Sequence, residues 1–234
     1  AYQANFSEGC AAFRCYEQGI DAHTEIAVSP EDDIEVRRIG ITNRSGARKV
    51  IDLTSYAEVV LALAAADAAH PAFSNLFVQT EIIREHQAIL CNRRSGAVDH
   101  AALWMFHRIV SNESDLGEMS YETDRMRFIG RGNTLANPQA MHNVMTLSNS
   151  EGSVLDPIVA IQCRITLDPE QSATVAIVSG IGETRDACLT LIEKYQDRHL
   201  TNRVFDLACT HSQSVLRQLH ATQADAQLYG RLAD

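Results

Sequence analysis

Residues 20–61 read IDAHTEIAVSPEDDIEVRRIGITNRSGARKVIDLTSYAEVVL. Apolar or small side chains alternate with polar ones in three runs, the period of a half-buried strand. In the first run Ile20, Ala22, Thr24, Ile26 and Val28 share one face. The turn at 29–33 (SPEDD) carries a proline and acidic residues suited to a reversal. In the second run Ile34 and Val36 are in one phase and Ile39 and Ile41 in the other, which predicts a β-bulge at Arg37-Arg38. Residues 43–46 (NRSG) predict a hairpin turn in which Gly46 supplies positive φ. The third run places Ile51, Leu53, Ser55, Ala57, Val59 and Leu61 on one side. Three strands and two turns predict an antiparallel meander.

The flanking sequence extends this pattern. Residues 1–17 supply two strands broken at Glu8-Gly9, followed by a turn at 17–19. The alanine-rich segment 61–70 favours a short helix that Pro71 stops. Strands are expected over 76–82, 87–92, 100–111 and 119–124, with a turn over 93–99 and a loop over 112–117. Residues 154–167 alternate most strictly, and a strand over 172–178 closes the sheet. From Thr184, a natural N-cap, the apolar period changes to 3.6. Ala187, Cys188, Leu191, Ile192 and Tyr195 mark one helix stripe. A second runs from Leu200 through Val204, Ala208 and His211 to Leu219, and a capping box at Thr222–Asp225 opens a third helix. Strands followed by helices, without alternation, exclude a doubly wound α/β fold. The predicted organisation is a mainly β domain over 1–182 and a helical linker over 183–234.

Composition narrows the function classes. A net charge of −10 argues against a phosphate-backbone binder, which needs a basic footprint, and against an anionic membrane surface. No apolar run reaches membrane-spanning length. The six cysteines form no CxxC and no zinc spacing, so reduced structural thiols in a reducing compartment are expected. The first residue is not Met and the last stretch reads as mid-helix, so a piece of a longer protein is expected. No nucleophile motif, HExxH or P-loop is present. The acidic 31–33 cluster lacks the spacing of a calcium loop and reads as a solvated turn. His23 and His107 lie on strands, where a satisfied or exposed histidine is the expectation, and His211 is expected to pack between helix and sheet.

Two features remain as site candidates. Trp104 is the single tryptophan; beside Leu103, Met105 and Phe106 it reads either as core or as a stacking surface for a sugar. Residues 125–151 interrupt the strand pattern, and long irregular segments in compact domains are functional or disordered. Within them Arg131, Asn133, Thr134 and Asn137 offer partners for hydroxyl groups or phosphate.

The blocks AVSPEDDIEVRRIGITNRSG, IDLTSYAEVVLA, HPAFSNLFVQTE, YETDRMRFIGRGNTLANP, GSVLDPIVAI and VFDLACTHSQSVLRQL, in this order, resemble glycoside hydrolase family 94, and within it the phosphorylase-like region of cyclic β-1,2-glucan synthases. The resemblance implies a galactose-mutarotase-like β-supersandwich leading through linker helices to an (α/α)6-barrel that would follow Asp234. It places the general acid and phosphate-binding residues in that barrel, so the chain is expected to carry no catalytic residue, no metal and no cofactor, with inorganic phosphate used by the parent enzyme. The implied partners are a β-glucan oligosaccharide, the barrel and a second copy in a homodimer, with no nucleic acid. The implied location is the cytoplasmic side of an inner-membrane-associated bacterial protein. In related disaccharide phosphorylases a loop of the form F-I-G-x-Y-R-[ST]-x-x-N-P reaches the sugar. Residues 128–138 match its frame, with Asn133 where the family has a sugar-contacting arginine.

Overall fold

A computed structural model describes residues 1–94, 103–111, 116–142 and 146–233. The first strands are β1 (Tyr2–Phe6), β2 (Ala11–Glu17), β3 (Ile20–Val28), β4 (Ile34–Asn43), β5 (Lys49–Thr54) and β6 (Ala57–Glu58). Helices α1 (Ala64–Ala69) and α2 (Pro71–Asn75) precede β7 (Val78–Ile83), β8 (Ala88–Arg93), β9 (Trp104–Ser111) and β10 (Ser120–Asp124). Then come α3 (Arg125–Ile129), β11 (Gly152–Ser153), β12 (Pro157–Leu167) and β13 (Ser172–Gly182). The chain ends in α4 (Arg185–Lys194), α5 (Arg198–Gln218) and α6 (Gln223–Ala233).

Among the described residues the strands form two antiparallel sheets. The large one has the order β1-β2-β3-β4-β13-β9-β8-β7-β11, and the small one β10-β12-β5, with β6 also on β12. The fold is mainly β, a supersandwich followed by C-terminal helices. The central strands of the large sheet are buried on both faces. Ile41, Ile89, Ile109, Val175 and Ile177 meet Val159, Ile161, Cys163 and Ile165 of the small sheet. On the opposite face Val36, Leu90, Phe106 and Val178 meet Cys188, Ile192, Val204 and Ala208 of α4 and α5.

This two-sided burial accounts for the phase change in β4. Its pairing with β3 and β13 runs without a register shift, so the expected bulge at Arg37-Arg38 is absent. Ile34 and Val36 face the helices, while Ile39 and Ile41 face the small sheet. A register shift occurs in β10 instead, between Glu122 and Asp124.

The meander is also corrected. β4 and β5 do not pair; β5 joins β12 in the other sheet. The 43–46 turn therefore carries the chain between sheets, and Gly46 is not among the positive-φ residues. Asn43 makes that corner: its fully buried Nδ2 donates to the carbonyls of Ala47 (2.8 Å), Leu167 (3.0 Å) and Asp168 (3.2 Å), while its Oδ1 accepts from the Ser45 N–H (3.0 Å). The third run is interrupted at Ser55-Tyr56, where the Ser55 hydroxyl accepts from the Ile161 N–H (3.0 Å). β13 is a central strand between β4 and β9 rather than a closing edge. Pro71 opens α2 rather than only stopping α1, consistent with proline's fit at the first helical position. His211 is exposed, not packed on the sheet. Most of the turn expected over 93–99 and of the loop expected over 112–117 lies outside the described residues.

Thr184 caps α4 as its sequence predicts, accepting from the Ala187 N–H at 3.1 Å. The acidic turn expected to be solvated pins the helices: Asp32 accepts from Lys194 Nζ (2.6 Å) and the Tyr195 hydroxyl (2.5 Å), and Arg203 reaches Glu31 (3.1 Å). Burial raises the Cys163 and Cys188 thiols to about 11, so both are inert apolar fillers.

Candidate functional site

The segment after β10 folds because its apolar residues dock under it. Asp124 caps α3 by accepting from the Met126 N–H (2.9 Å). Phe128 and Ile129 then insert between Leu147 and the outer side of β12, at Ile158 and Ala160. The Tyr56 ring lies 5.0 Å from the Phe128 ring. Arg125 ties the frame to the small sheet through Glu58 (3.0 Å) and Asp156 (3.5 Å). Both faces of β12 are therefore covered, which the strict alternation of residues 154–167 does not anticipate.

Gly130 ends α3 at φ +81°, its N–H donating to the Met126 carbonyl (2.9 Å). A Cβ there would collide with Gln139 Oε1 and lie 2.6 Å from Gln139 Cβ, so the crossing of the loop on itself requires glycine. Gly132 also has φ +81°, with nothing near the place of a Cβ. The loop returns through a bridge between Thr134 and Asn137, and Pro138 is buried. A cleft of about 360 Å³ opens between this loop and β10, lined by Glu122, Arg127, Arg131, Gln139 and Ser148 among others.

Glu122 is the buried carboxylate of the cleft, and it is occupied. It accepts from the backbone N–H of Thr123 and Asp124 (3.1 Å each), from the Ser148 hydroxyl (2.7 Å) and from the Ser150 hydroxyl. These bonds staple residues 148–150 to β10. Sequence reasoning missed Glu122, Ser148 and Ser150. The two serines sit two apart, as on a strand face, but nothing local links them to a glutamate 26 residues earlier.

The predicted site residues divide into three groups. Arg131, Asn133 and Thr134 are exposed along one rim, and their side chains have no hydrogen-bond or ion-pair partner among the described residues. Asn137 is on the same rim but is tied down: its N–H donates to the Thr134 carbonyl (3.0 Å) and its Oδ1 accepts from His142 Nε2. Trp104 lies elsewhere. It is half-buried on the helix-facing side of β9, against the Phe106 and Cys188 cluster, whereas the rim lies outside the small sheet. The structure does not bring Trp104 to the loop. Among the described residues no three His, Cys, Asp or Glu side chains lie together as metal ligands.

The sequence profile described as Glycosyl hydrolase 94, supersandwich domain, matches residues 1–198. The chain belongs to this family. Over 215 residues the chain is 32% identical to cyclic beta-(1,2)-glucan synthase NdvB of Rhizobium meliloti (strain 1021). That match takes in 91% of this chain and 8% of the relative, so the chain spans less than a tenth of the relative's length. Among solved structures, heparinase III aligns with a TM-score of 0.46 at 9% identity, over 80% of this chain and 22% of that one. A protein described as a kojibiose phosphorylase from the human microbiome aligns with a TM-score of 0.44 at 11% identity, over 85% and 22%. The strands of the supersandwich end at Gly182, and the family match continues to residue 198, within the first residue of α5. No helix among the described residues is long and apolar enough to cross a membrane.

Proposed function

We propose that this supersandwich is a non-catalytic part of a larger β-1,2-glucan-processing protein, in which the 125–142 loop shapes one wall of a sugar cleft. The observation that supports this reading most is the contrast within that loop. Its frame is anchored by Phe128, Ile129, Arg125 and Pro138, while Arg131, Asn133 and Thr134 stand out unoccupied. A rigid frame that presents free hydrogen-bonding groups is suited to meeting sugar hydroxyls contributed by another body. The carboxylate nearest the cleft, Glu122, is saturated by four donors and holds the loop in place rather than transferring protons. In this reading phosphorolysis, the phosphate it consumes and the polymerising activity reside in other parts of the protein, a barrel packs against the rim, and the domain lies on the cytoplasmic side of the inner membrane. Asn133 in place of an arginine leaves the sugar wall neutral there and passes the cationic role to Arg131, two residues earlier.

The test uses the 234-residue chain. Incubated with β-1,2-glucan and phosphate, it should release neither sugar phosphate nor reducing ends; measurable turnover would overturn the reading. In a heteronuclear NMR titration with β-(1,2)-linked glucotriose, resonances of 125–142 should shift. Arg131→Ala should weaken that response about tenfold, a loss of about 1.4 kcal/mol, without lowering Tm.

A further inference from the structure

On the helix-facing side of the large sheet, α5 covers only part of the surface. It crosses β3 and β4 where Arg38 Nη1 donates to Asn202 (3.1 Å) and its guanidinium lies 4.3 Å from the centre of the Phe205 ring. Beyond that wall two rows of side chains on the same face remain open. One runs Gln3–Arg14–His23–Gly40 across four neighbouring strands; the next runs Tyr16–Asp21–Thr42. Apart from Tyr16, which stands just outside it, these residues line a trough of about 480 Å³, within the size range of small-molecule sites.

Three features of this trough are independent of one another. Gly40 sits mid-strand in β4, without positive φ, and a Cβ built on it would meet only the His23 carbonyl oxygen, at 3.9 Å. Neither backbone nor packing asks for glycine, which destabilises a strand interior and often marks close approach of a ligand. Second, the Arg14 and Asp21 charges in the trough are already matched. Arg14 Nε and Nη2 form a bidentate pair with Asp21 (2.9 and 2.6 Å), and at the rim Arg44 pairs with Glu170 (2.7 Å). An ionic ligand would have to break these pairs, whereas hydroxyl groups can add to the remaining N–H groups and lone pairs. Third, Tyr16 stands half exposed on the same face, a flat ring beside the polar rows.

We propose that this trough is a second binding site, separate from the 125–142 loop, for a neutral oligosaccharide lying across β1–β4. Its hydroxyls meet Gln3, Arg14, Asp21, His23 and Thr42, one sugar ring packs on Tyr16, and the bare floor at Gly40 lets a ring approach the sheet.

The deciding experiment is an NMR titration of the full 234-residue chain with β-(1,2)-linked glucotriose and, separately, with its sulfated derivative. The neutral trisaccharide should shift the backbone resonances of residues 3–42. Gly40→Val fills the floor without a backbone clash, and its β-branched side chain suits a strand. It should abolish those shifts, weakening binding more than tenfold, with Tm equal to or above that of the wild type. Tyr16→Ala, at an exposed position, should weaken binding several-fold. Shifts in the 125–142 loop should persist in both variants, and Arg131→Ala should do the reverse, so the two sites fail separately. No shifts in residues 3–42, shifts that both variants leave intact, or a preference for the sulfated sugar would overturn the proposal.

Discussion

His107 is neutral in the folded protein because it is buried, and two serines hold its ring in place. Its ring crosses the interior between the sheets, with Nδ1 2.8 Å from the Ser179 hydroxyl and Nε2 2.8 Å from the Ser55 hydroxyl. Burial, helped by the positive charge of Arg37, lowers its pKa from 6.5 to about 3. The unfolded chain therefore binds a proton that the folded chain refuses as pH falls from the ordinary value toward about 3. Stability from this group is complete above that window and is lost through it. His107→Leu removes the titration and takes a partner from the half-buried Ser179 hydroxyl, while Ser55 keeps its bonds to Ile161, costing about 1 kcal/mol at neutral pH. Urea midpoints measured from pH 7 to pH 4 should fall more steeply for the wild type than for the variant; equal slopes would show that His107 does not titrate as described. A strand histidine that is satisfied in place is legible from its apolar neighbours. Which hydroxyls satisfy it is not, because Ser55 lies 52 residues before it, in the strand break, and Ser179 lies 72 residues after it.

The α3 loop shows how local signals and distant anchors combine. The glycines and the Asn-Pro of FIGRGNTLANP are legible as an irregular segment, whereas Asp124, read as the end of a strand, caps a helix the sequence did not announce. The anchors are not legible: nothing in the irregular segment marks Phe128 and Ile129 as buried until the outer face of β12 is seen beneath them. The two positive-φ glycines differ in what they require. Gly130→Ala meets both an unfavourable φ and the Gln139 side chain, so a loss of about 2 kcal/mol is expected. Gly132→Ala meets only the backbone term, about 1 kcal/mol. Thermal denaturation of the pair should show the larger loss at Gly130, and limited proteolysis should open 125–142 first in that variant. Equal losses would mean that Gln139 swings away at no cost.

Across the molecule, the helices contribute unequally. α5 buries Thr201, Val204 and Ala208 against the large sheet, whereas no described residue of α6 is buried, and Leu228, Tyr229 and Leu232 are exposed. A chain ending at residue 220 should keep its Tm within a few degrees. A chain ending at residue 197 uncovers Val36 and the cluster beneath α5 and should lose several kcal/mol, on the order of the area uncovered. A large loss in the first truncation would show that α6 docks on the domain. The same two-sided layering separates what could be read from the chain from what could not. Alternation and the switch to a 3.6 period were enough to announce strands first and helices last, because both are set by which side chains neighbour each other along a few residues. They also exposed the irregular loop, through its glycines. They could not show that β4 and β5 part into different sheets, that β13 lies at the centre, or that Trp104 faces away from the rim. Those facts depend on partners far along the chain: Asn43 turns the corner only by reaching Leu167 and Asp168, and the phase of β4 makes sense only once helices lie on one side and a second sheet on the other.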